Sequence, residues 1–247
     1  NATIATAGGG TALTTSGTTS GAFALTYAGA GSITVSNTIS TPTSITANNT
    51  LTALNINTAT VTSTGTQTYN SPITLGAATV TFTTTNSAAT FAAITNGTAR
   101  NMTVSTGSGA ISLSGNVGTG TALSAIVLNS TGTTTITGIV NAASLTTNAG
   151  GTTAINSTAI TTTGAQAYND NVTLGANAAL NSGAGTITFA GTLSGAANTL
   201  TIQNNGGATG TVTFTGNVTL SGLTTAANAY AVTMNGGTNT ITNAVTF

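Results

Sequence analysis

Short segments of alternating apolar and small polar residues recur along the whole chain. Successive side chains of a β-strand point to opposite sides, so this alternation predicts half-buried strands. Their shared form is Gly-Thr-φ-Thr-φ-x-Gly-x-φ, in which φ is an apolar residue. Apolar residues do not persist at helical spacing anywhere, and the chain is therefore predicted to be all-β. The segments lie at residues 31–39, 78–82, 109–117, 134–140, 185–193, 210–220 and 238–247.

The spacing between equivalent apolar positions indicates how these strands are arranged. An interval of about 25 to 30 residues separates Ile111 from Ile136, Ile187 from Val212, and Val212 from Ile241. A unit of this length suits one coil of a β-solenoid, which buries its apolar side chains by stacking on its neighbours. We expect roughly ten coils, with an interior of Ile, Val, Leu, Phe and many Ala. The alternative fold is a tandem array of antiparallel β-sandwiches.

A longer repeat relates residues 61–77 to residues 160–176. Both copies pass from a β-branched segment through Thr-Gly and Gln-x-Tyr-Asn into a second strand, and the period of 99 residues would be about four coils. The repeat predicts one continuous solenoid over residues 1–247. We expect the shared polar residues at coil corners, where the tyrosine rings pack on a neighbouring coil or, alternatively, stack on a sugar. These residues are Gln67, Tyr69, Asn70, Gln166, Tyr168 and Asn169.

The composition excludes several classes of function. The chain has one Lys or Arg, one Asp or Glu, no His and no Cys. A carboxylate pair, a His-dependent triad, a thiol nucleophile and a transition-metal cluster are all impossible with these residues, so we predict that the chain is not an enzyme and holds no cofactor. One positive side chain cannot neutralise a phosphate backbone, which argues against nucleic-acid binding.

The two charged residues are Arg100 and Asp170. Asp170 follows Tyr168-Asn169 in a predicted turn, where an aspartate commonly bonds its own backbone, and a ligand role or a contact between subunits is the alternative. Arg100 is expected to be solvated, with a contact between subunits as the alternative. Seventy residues separate them, nearly three coils of the predicted solenoid, so no direct ion pair is expected within one chain.

No segment has the run of about 18 apolar residues that a transmembrane helix requires. Because the chain begins with Asn1 and not with methionine, we expect a processed protein or a segment of a longer one. The absence of cysteine fits an exported protein that does without disulfides.

The second repeat copy resembles a known family. The sequence from Ile160 to Ala176, together with residues 143–156, is similar to the repeats of filamentous-haemagglutinin-like bacterial exoproteins. The resemblance covers mainly residues 91–214. It implies a right-handed parallel β-helix that forms the shaft of a secreted or surface-anchored adhesin of a Gram-negative bacterium.

The function predicted from these observations is structural. The chain would form part of an extracellular fibre, an adhesin shaft or a self-assembling filament, and its partners would be further copies, joined end to end or laterally, or flanking parts of the same chain. The alternative is an ice-binding or polysaccharide-binding solenoid, in which surface glycans are the partner. That alternative depends on Thr-x-Thr arrays at residues 79–83, 133–137 and 211–215.

Overall fold

The computed structural model describes residues 1–203, 205–243 and 245. Those ranges contain 31 short strands and no helix, which confirms the prediction of an all-β chain. In chain order the strands are β1 (Ala2–Ala5), β2 (Ala12–Thr15), β3 (Thr19–Ser20), β4 (Ala24–Ala28), β5 (Ser32–Val35), β6 (Ile39–Ser40), β7 (Ser44–Ala47), β8 (Ala53–Ile56), β9 (Thr60–Ser63), β10 (Gln67–Tyr69), β11 (Ile73–Leu75), β12 (Thr79–Thr84), β13 (Ala89–Phe91), β14 (Ile94–Thr95), β15 (Asn101–Gly107), β16 (Ile111–Leu113), β17 (Val117–Thr119), β18 (Leu123–Ser130), β19 (Thr133–Ile136), β20 (Val140–Thr147), β21 (Thr152–Ile155), β22 (Ala159–Thr162), β23 (Gln166–Tyr168), β24 (Asn171–Leu174), β25 (Ala178–Asn181), β26 (Ile187–Phe189), β27 (Leu193–Ile202), β28 (Val212–Phe214), β29 (Val218–Thr225), β30 (Val232–Met234) and β31 (Thr240–Ile241).

The strands stack in three columns, which we call faces 1, 2 and 3. Each strand pairs in parallel with the strand one turn later, and this is a β-solenoid of about 11 turns, consistent with a right-handed parallel β-helix. Parallel pairing rules out the antiparallel sandwich array. Face 1 contains β1, β4, β7, β10, β13, β16, β19, β21, β24, β27, β29 and β31; face 2 contains β2, β5, β8, β11, β14, β17, β20, β22, β25, β27 and β29; face 3 contains β3, β6, β9, β12, β15, β18, β20, β23, β26, β28 and β30.

Most coils are shorter than the sequence spacing predicts. On face 1, a turn ranges from about 20 residues, between Thr134 and Thr153, to about 25 residues, between Leu193 and Val218. The predicted step from Ile187 to Val212 is confirmed as a pair. Two other predicted steps are wrong: Ile136 pairs with Leu113 and not with Ile111, and Ile241 pairs with Leu220 and not with Val212. In the first case the slip is two residues, which preserves the alternation, so the pattern alone cannot fix the partner. In the second case Val212 lies on face 3 and Ile241 on face 1.

Five of the seven predicted alternating segments become two strands on successive faces, whereas residues 78–82 lie within the single strand β12. Residues 109–117 form β16 on face 1 and the start of β17 on face 2, with Gly115 at the corner between them. Of the predicted strand at residues 238–247, β31 is present, while Ala244, Thr246 and Phe247 lie outside the described residues. The Gly-Thr-φ-Thr-φ-x-Gly-x-φ unit is therefore a strand, a corner and the beginning of the next strand.

A single apolar core runs along the axis from Leu25 to Leu223. It consists mainly of Ile, Val, Leu and Phe, as predicted, but only five buried alanines are among its described residues. Buried polar residues occupy inward positions at which we expected alanine. Ser63, Thr106 and Gln166, for example, have no exposed surface.

The buried hydroxyl groups serve the coil corners. Ser63 Oγ donates a hydrogen bond of 2.7 Å to the Gly65 carbonyl, and Thr162 Oγ1 donates one of 2.5 Å to the Gly164 carbonyl. A chain that leaves one face for the next turns some of its backbone carbonyls away from the strand ladder. Buried carbonyls need a donor, and an inward Ser or Thr at the strand end supplies it.

Corners on successive coils also approach each other closely. Gly164, Gly185 and Gly210 stack at the corner between faces 2 and 3. A Cβ atom on Gly185 would lie 2.2 Å from the Gly164 carbonyl carbon, and one on Gly210 would lie 1.4 Å from the Gly185 carbonyl oxygen. These neighbours are backbone atoms, which cannot move aside without opening the coil stack.

We predict that Gly210→Ala lowers the free energy of unfolding by about 3 kcal/mol or more, because the methyl group collides with the coil below. Gly206→Ala is the matched control in the preceding loop, where a Cβ atom would meet nothing within 4 Å. Its effect should stay within about 0.5 kcal/mol. Thermal and denaturant melts followed by circular dichroism measure both. Equal melting curves for the two variants would contradict the corner model.

Candidate functional site

The two repeat copies build the same buried hydrogen-bond network. In the first copy, Gln67 Nε2 donates to the carbonyls of Val61 (3.2 Å) and Thr83 (2.9 Å) and to Ser63 Oγ (3.2 Å). Tyr69 OH donates to Gln67 Oε1 over 3.0 Å. The side chain therefore connects the strand before the corner to the strand stacked on it one turn later.

The second copy reproduces this geometry almost atom for atom. Gln166 Nε2 donates to the carbonyls of Ile160 (3.2 Å) and Asn181 (2.8 Å) and to Thr162 Oγ1 (3.2 Å). Tyr168 OH donates to Gln166 Oε1 over 3.0 Å. The shared sequence thus specifies one way of turning a corner.

The two networks nevertheless lie on different faces. Gln67 is on face 1, and four turns of register lead from it through Ala89, Ile111 and Thr134 to Thr153. From Thr153 on face 1 the chain passes along face 2 and reaches Gln166 on face 3, which adds two-thirds of a turn. The 99-residue period is therefore four and two-thirds turns, and the expectation of about four coils is corrected accordingly.

The two tyrosine rings pack inside the solenoid. Tyr69 stacks on Phe91 with a centroid distance of 5.1 Å, and Tyr168 stacks on Phe189 at 5.0 Å. Phe189 in turn stacks on Phe214 at 5.0 Å. Burial raises the pKa of the Tyr69 and Tyr168 hydroxyls well above their usual value. Both rings contact neighbouring coils, and neither is open to a sugar.

The residues that follow the tyrosines differ in exposure. Asn70 and Asn169 are exposed, and Asn169 Nδ2 donates to the Thr147 carbonyl of the previous turn over 2.7 Å. The next position is buried in both copies, where Ser71 is fully buried and Asp170 is 2% exposed. Ser71 Oγ donates to the Asn48 carbonyl, again on the previous turn.

Asp170 does not bond its own backbone. Its carboxylate accepts hydrogen bonds from the Gly151 backbone N–H (2.9 Å) and from Thr153 Oγ1 (3.1 Å), both one turn earlier. These are the contacts of a carboxylate that ties two coils together. An aspartate in a turn is ordinarily solvated, so its type and position gave no sign of this burial.

Arg100 lies at the corner between β14 and β15 and is half-buried. Its backbone carbonyl accepts a hydrogen bond of 2.8 Å from Ser124 N–H. Its Nε atom is buried and has no hydrogen-bond partner in the described part of the chain. The side chain is thus less solvated than expected. Arg100 and Asp170 occupy different corners more than three turns apart.

A third glutamine performs a related role that the repeat did not reveal. Gln203 is fully buried, and its Nε2 donates to Ser182 Oγ (2.8 Å) and to the Gly210 carbonyl (2.9 Å). Its Oε1 accepts from Ser182 N–H at 2.9 Å. Asn205 and not a tyrosine follows two residues later, so this site lacks the Gln-x-Tyr-Asn motif. The sequence indicates its role only through composition, because the chain has only three glutamines and all three are buried.

The outer surface of face 1 carries a row of hydroxyl groups that we call the hydroxyl ladder. One outward residue per strand stacks in register over twelve strands, at about 4.8 Å per step. Eleven of the twelve positions are Thr or Ser. The positions are Thr3, Thr26, Thr46, Thr68, Thr90, Ser112, Thr135, Ala154, Thr173, Ser194, Thr219 and Thr240.

The predicted Thr-x-Thr arrays do not form one surface. The array at residues 133–137 contributes to face 1, whereas those at 79–83 and 211–215 lie on face 3, six turns apart. On face 3, two adjacent columns persist over three strands, from Thr60 and Thr62 through Thr81 and Thr83 to Thr103 and Ser105. They end where Val127 follows in register. Outside the hydroxyl ladder, the hydroxyl surface is therefore discontinuous.

Two shallow cavities lie on the outside of the solenoid. One of about 420 Å³ lies on face 2, where Thr158, Asn177 and Thr199 are part of its lining. The other, of about 360 Å³, lies at the C-terminal end beside Tyr230 and Val232. Neither is lined by a charged side chain.

Within residues 1–203, 205–243 and 245, no group of three or more His, Cys, Asp or Glu could hold a metal ion. In the same ranges, no helical segment has the length and hydropathy to span a bilayer. The features left for functional interpretation are the hydroxyl ladder and the two ends of the solenoid.

Together the three faces and their corner networks define a β-solenoid. No family model matches the chain, and no curated protein and no solved structure matches it either. The resemblance to filamentous-haemagglutinin-like exoproteins therefore stays a prediction.

We predict that Gln67→Met and Gln166→Met each lower the free energy of unfolding by about 3 kcal/mol, because each leaves buried carbonyl and hydroxyl groups without a partner. Thr68→Ala, at the outward position between Gln67 and Tyr69, is the control and should change it by less than about 0.5 kcal/mol. Urea melts measure these differences.

Adding Tyr69→Phe to Gln67→Met removes the hydroxyl that had lost its acceptor. The double variant should therefore be less unstable than the sum of the two single variants, by about 1 kcal/mol. Strict additivity would show that the Gln67–Tyr69 hydrogen bond does not contribute to stability.

Proposed function

We propose that this chain is a structural β-solenoid segment of an extracellular fibre, either part of the shaft of a longer surface protein or a subunit of a self-assembling filament. The observation that supports this proposal is that the core continues into the end coils. Ile4 and Leu13 at one end, and Val232 and Met234 at the other, point inward along the same columns as the buried core.

The sides and the ends of the rod differ in a way that suits such a segment. The sides are closed by strand pairing and carry mainly Thr, Ser and Asn. Ile139 is the single exposed large hydrophobic residue among those described. At the ends, half-buried apolar side chains take the place of the polar outer surface that end repeats of a solitary solenoid usually present. A rod whose sides are hydrogen-bonded and polar, and whose ends keep open strands and apolar side chains, is suited to extension at its ends.

A rod of this kind is also stiff and long for its mass. Twelve strands on face 1 at about 4.8 Å per step span about 50 Å. The stiffness comes from backbone hydrogen bonds on three faces at every step. Following the family resemblance, we place the fibre on the surface of a Gram-negative bacterium, with further copies, flanking parts of the same chain or surface glycans as partners.

Antibodies raised against the recombinant chain test this proposal. Immunogold electron microscopy of intact, unfixed cells of the source organism should label extended fibres outside the outer membrane, and protease treatment of intact cells should remove the label. An antibody against a cytoplasmic protein is the control for cell integrity. Label found only after the cells are permeabilised would contradict an extracellular structural role.

The hydroxyl ladder favours a second candidate, which is binding of ordered water or of an extended polysaccharide along face 1. Its hydroxyl groups lie in one line at regular spacing, and such a row can donate and accept hydrogen bonds repeatedly along a linear ligand. Against an ice-binding role, face 1 offers one file of hydroxyls and not a two-dimensional array, because β10, β13 and β16 have only three residues each.

For this second candidate we predict that Thr68→Arg with Thr90→Arg abolishes thermal hysteresis or weakens co-sedimentation with crystalline polysaccharide by at least about tenfold, because two long side chains interrupt the row. Thr188→Arg on face 3 is the control, since its side chain also points outward. Absence of both activities in the unmodified chain, or equal loss in the control, would remove this candidate.

A further inference from the structure

The two ends of the solenoid present open sheet edges. At the N-terminal end, β1, β2 and β3 each pair with only one strand in the described part of the chain: β4, β5 and β6, respectively. At the C-terminal end, β30 pairs with β28, and β31 pairs with β29. Each edge strand therefore offers backbone N–H and C=O groups to a further strand.

Both ends are also apolar where the core meets them. At the N-terminal end, Ala2, Ile4 and Leu13 are half-buried. At the C-terminal end, Tyr230 and Met234 are half-buried, and the cavity of about 360 Å³ lies beside Tyr230. Both ends therefore present half-buried apolar side chains beside their open strands.

We propose that the N-terminal coil of one copy of this chain docks on the C-terminal coil of a second copy and so continues the solenoid. This inference rests on the proposed function and names its partner. The contact would repeat the coil-to-coil packing already present at about 11 turns within the chain, with backbone pairing on the faces and apolar side chains between them. On face 1, Ile4 would stack on Ile241, and on face 3, β3 would stack on β30, which carries Val232 and Met234.

The polarity of the strands dictates the form of the assembly. All pairings inside the solenoid are parallel, and only a head-to-tail joint keeps them so. Such a joint uses two different surfaces, and a contact of this kind leaves one free end of each type after every addition. Stacking along a common axis does not close into a ring, so the product is an open filament.

Charge does not oppose this joint. Arg100 and Asp170 lie in interior turns, and neither end coil carries a charged side chain. The proposed joint therefore contains no ion pair and no like-charge contact between side chains.

The experiment compares inward and outward lysines on the end strands of the purified chain. Ile4→Lys and Val232→Lys place a charge in the joint, whereas Thr3→Lys and Thr233→Lys place it on the outer surface of the same strands. Negative-stain microscopy and sedimentation should show filaments for the unmodified chain and for both outward controls. Each inward variant should lose sedimentable material by at least about tenfold, because a charge without a partner would be buried.

A second measurement separates a blocked joint from a misfolded chain. Ile4→Lys keeps an unmodified C-terminal end, so a small amount added to the unmodified chain should bind filament ends and shorten the filaments. Circular dichroism should show the same strand content for all variants. Filaments that form equally well from inward and outward variants would overturn the proposal, as would an Ile4→Lys chain that is folded but does not shorten filaments.

The outcomes distinguish this inference from the function on which it rests. If the unmodified chain stays monomeric while antibodies label surface fibres, the proposed function holds, the head-to-tail joint of separate copies is wrong, and flanking parts of a longer chain continue the coil. If filaments form as described but the cell surface is not labelled, the joint is supported and the extracellular role is wrong.

Discussion

Parallel pairing of each coil with the next is the constraint on which the rest of the structure depends. It fixes the rise at about 4.8 Å per turn on all three faces, and the corners must then rise by the same amount. Backbone atoms at stacked corners consequently lie so close together that a Cβ atom would collide with the neighbouring coil. The glycine stack at positions 164, 185 and 210 meets this requirement. The length of chain in each turn, by contrast, is free to vary between about 20 and about 25 residues.

The corners impose a second requirement, which is for hydrogen-bond donors inside the rod. When the chain leaves one face, carbonyls near the corner turn inward, and the apolar core cannot satisfy them. Gln67 and Gln166 solve this problem with the same contacts on different faces. Faces 1 and 3 can therefore receive the same corner network. What the repeated sequence encodes is a strand, a corner and a strand, irrespective of the face on which they lie.

Much of the fold could be predicted from the sequence, because alternation and glycine spacing act locally. The strands, the solenoid and the inward direction of the apolar residues all follow from them. The number of residues in each turn could not be predicted. The alternating pattern would let Ile136 stack on Ile111 as readily as on Leu113, which is its actual partner. The burial of Asp170 and Gln203 also escaped prediction. Their partners lie one turn away at Gly151 and Ser182, and only the three-dimensional stacking brings those groups together.

The near absence of charge can be understood from the same stacking. Outward residues on successive coils are only about 4.8 Å apart, so a charge repeated at each step would face a like charge above and below, at about 1 kcal/mol per contact in water. Threonine avoids this cost, covers the strand with its methyl group, and forms hydroxyl contacts between coils, as Thr74 and Thr95 do over 3.0 Å. The end strands β1 and β30 likewise carry no charged side chain. The head-to-tail joint that we propose would use the same stacking that holds successive coils together within the chain.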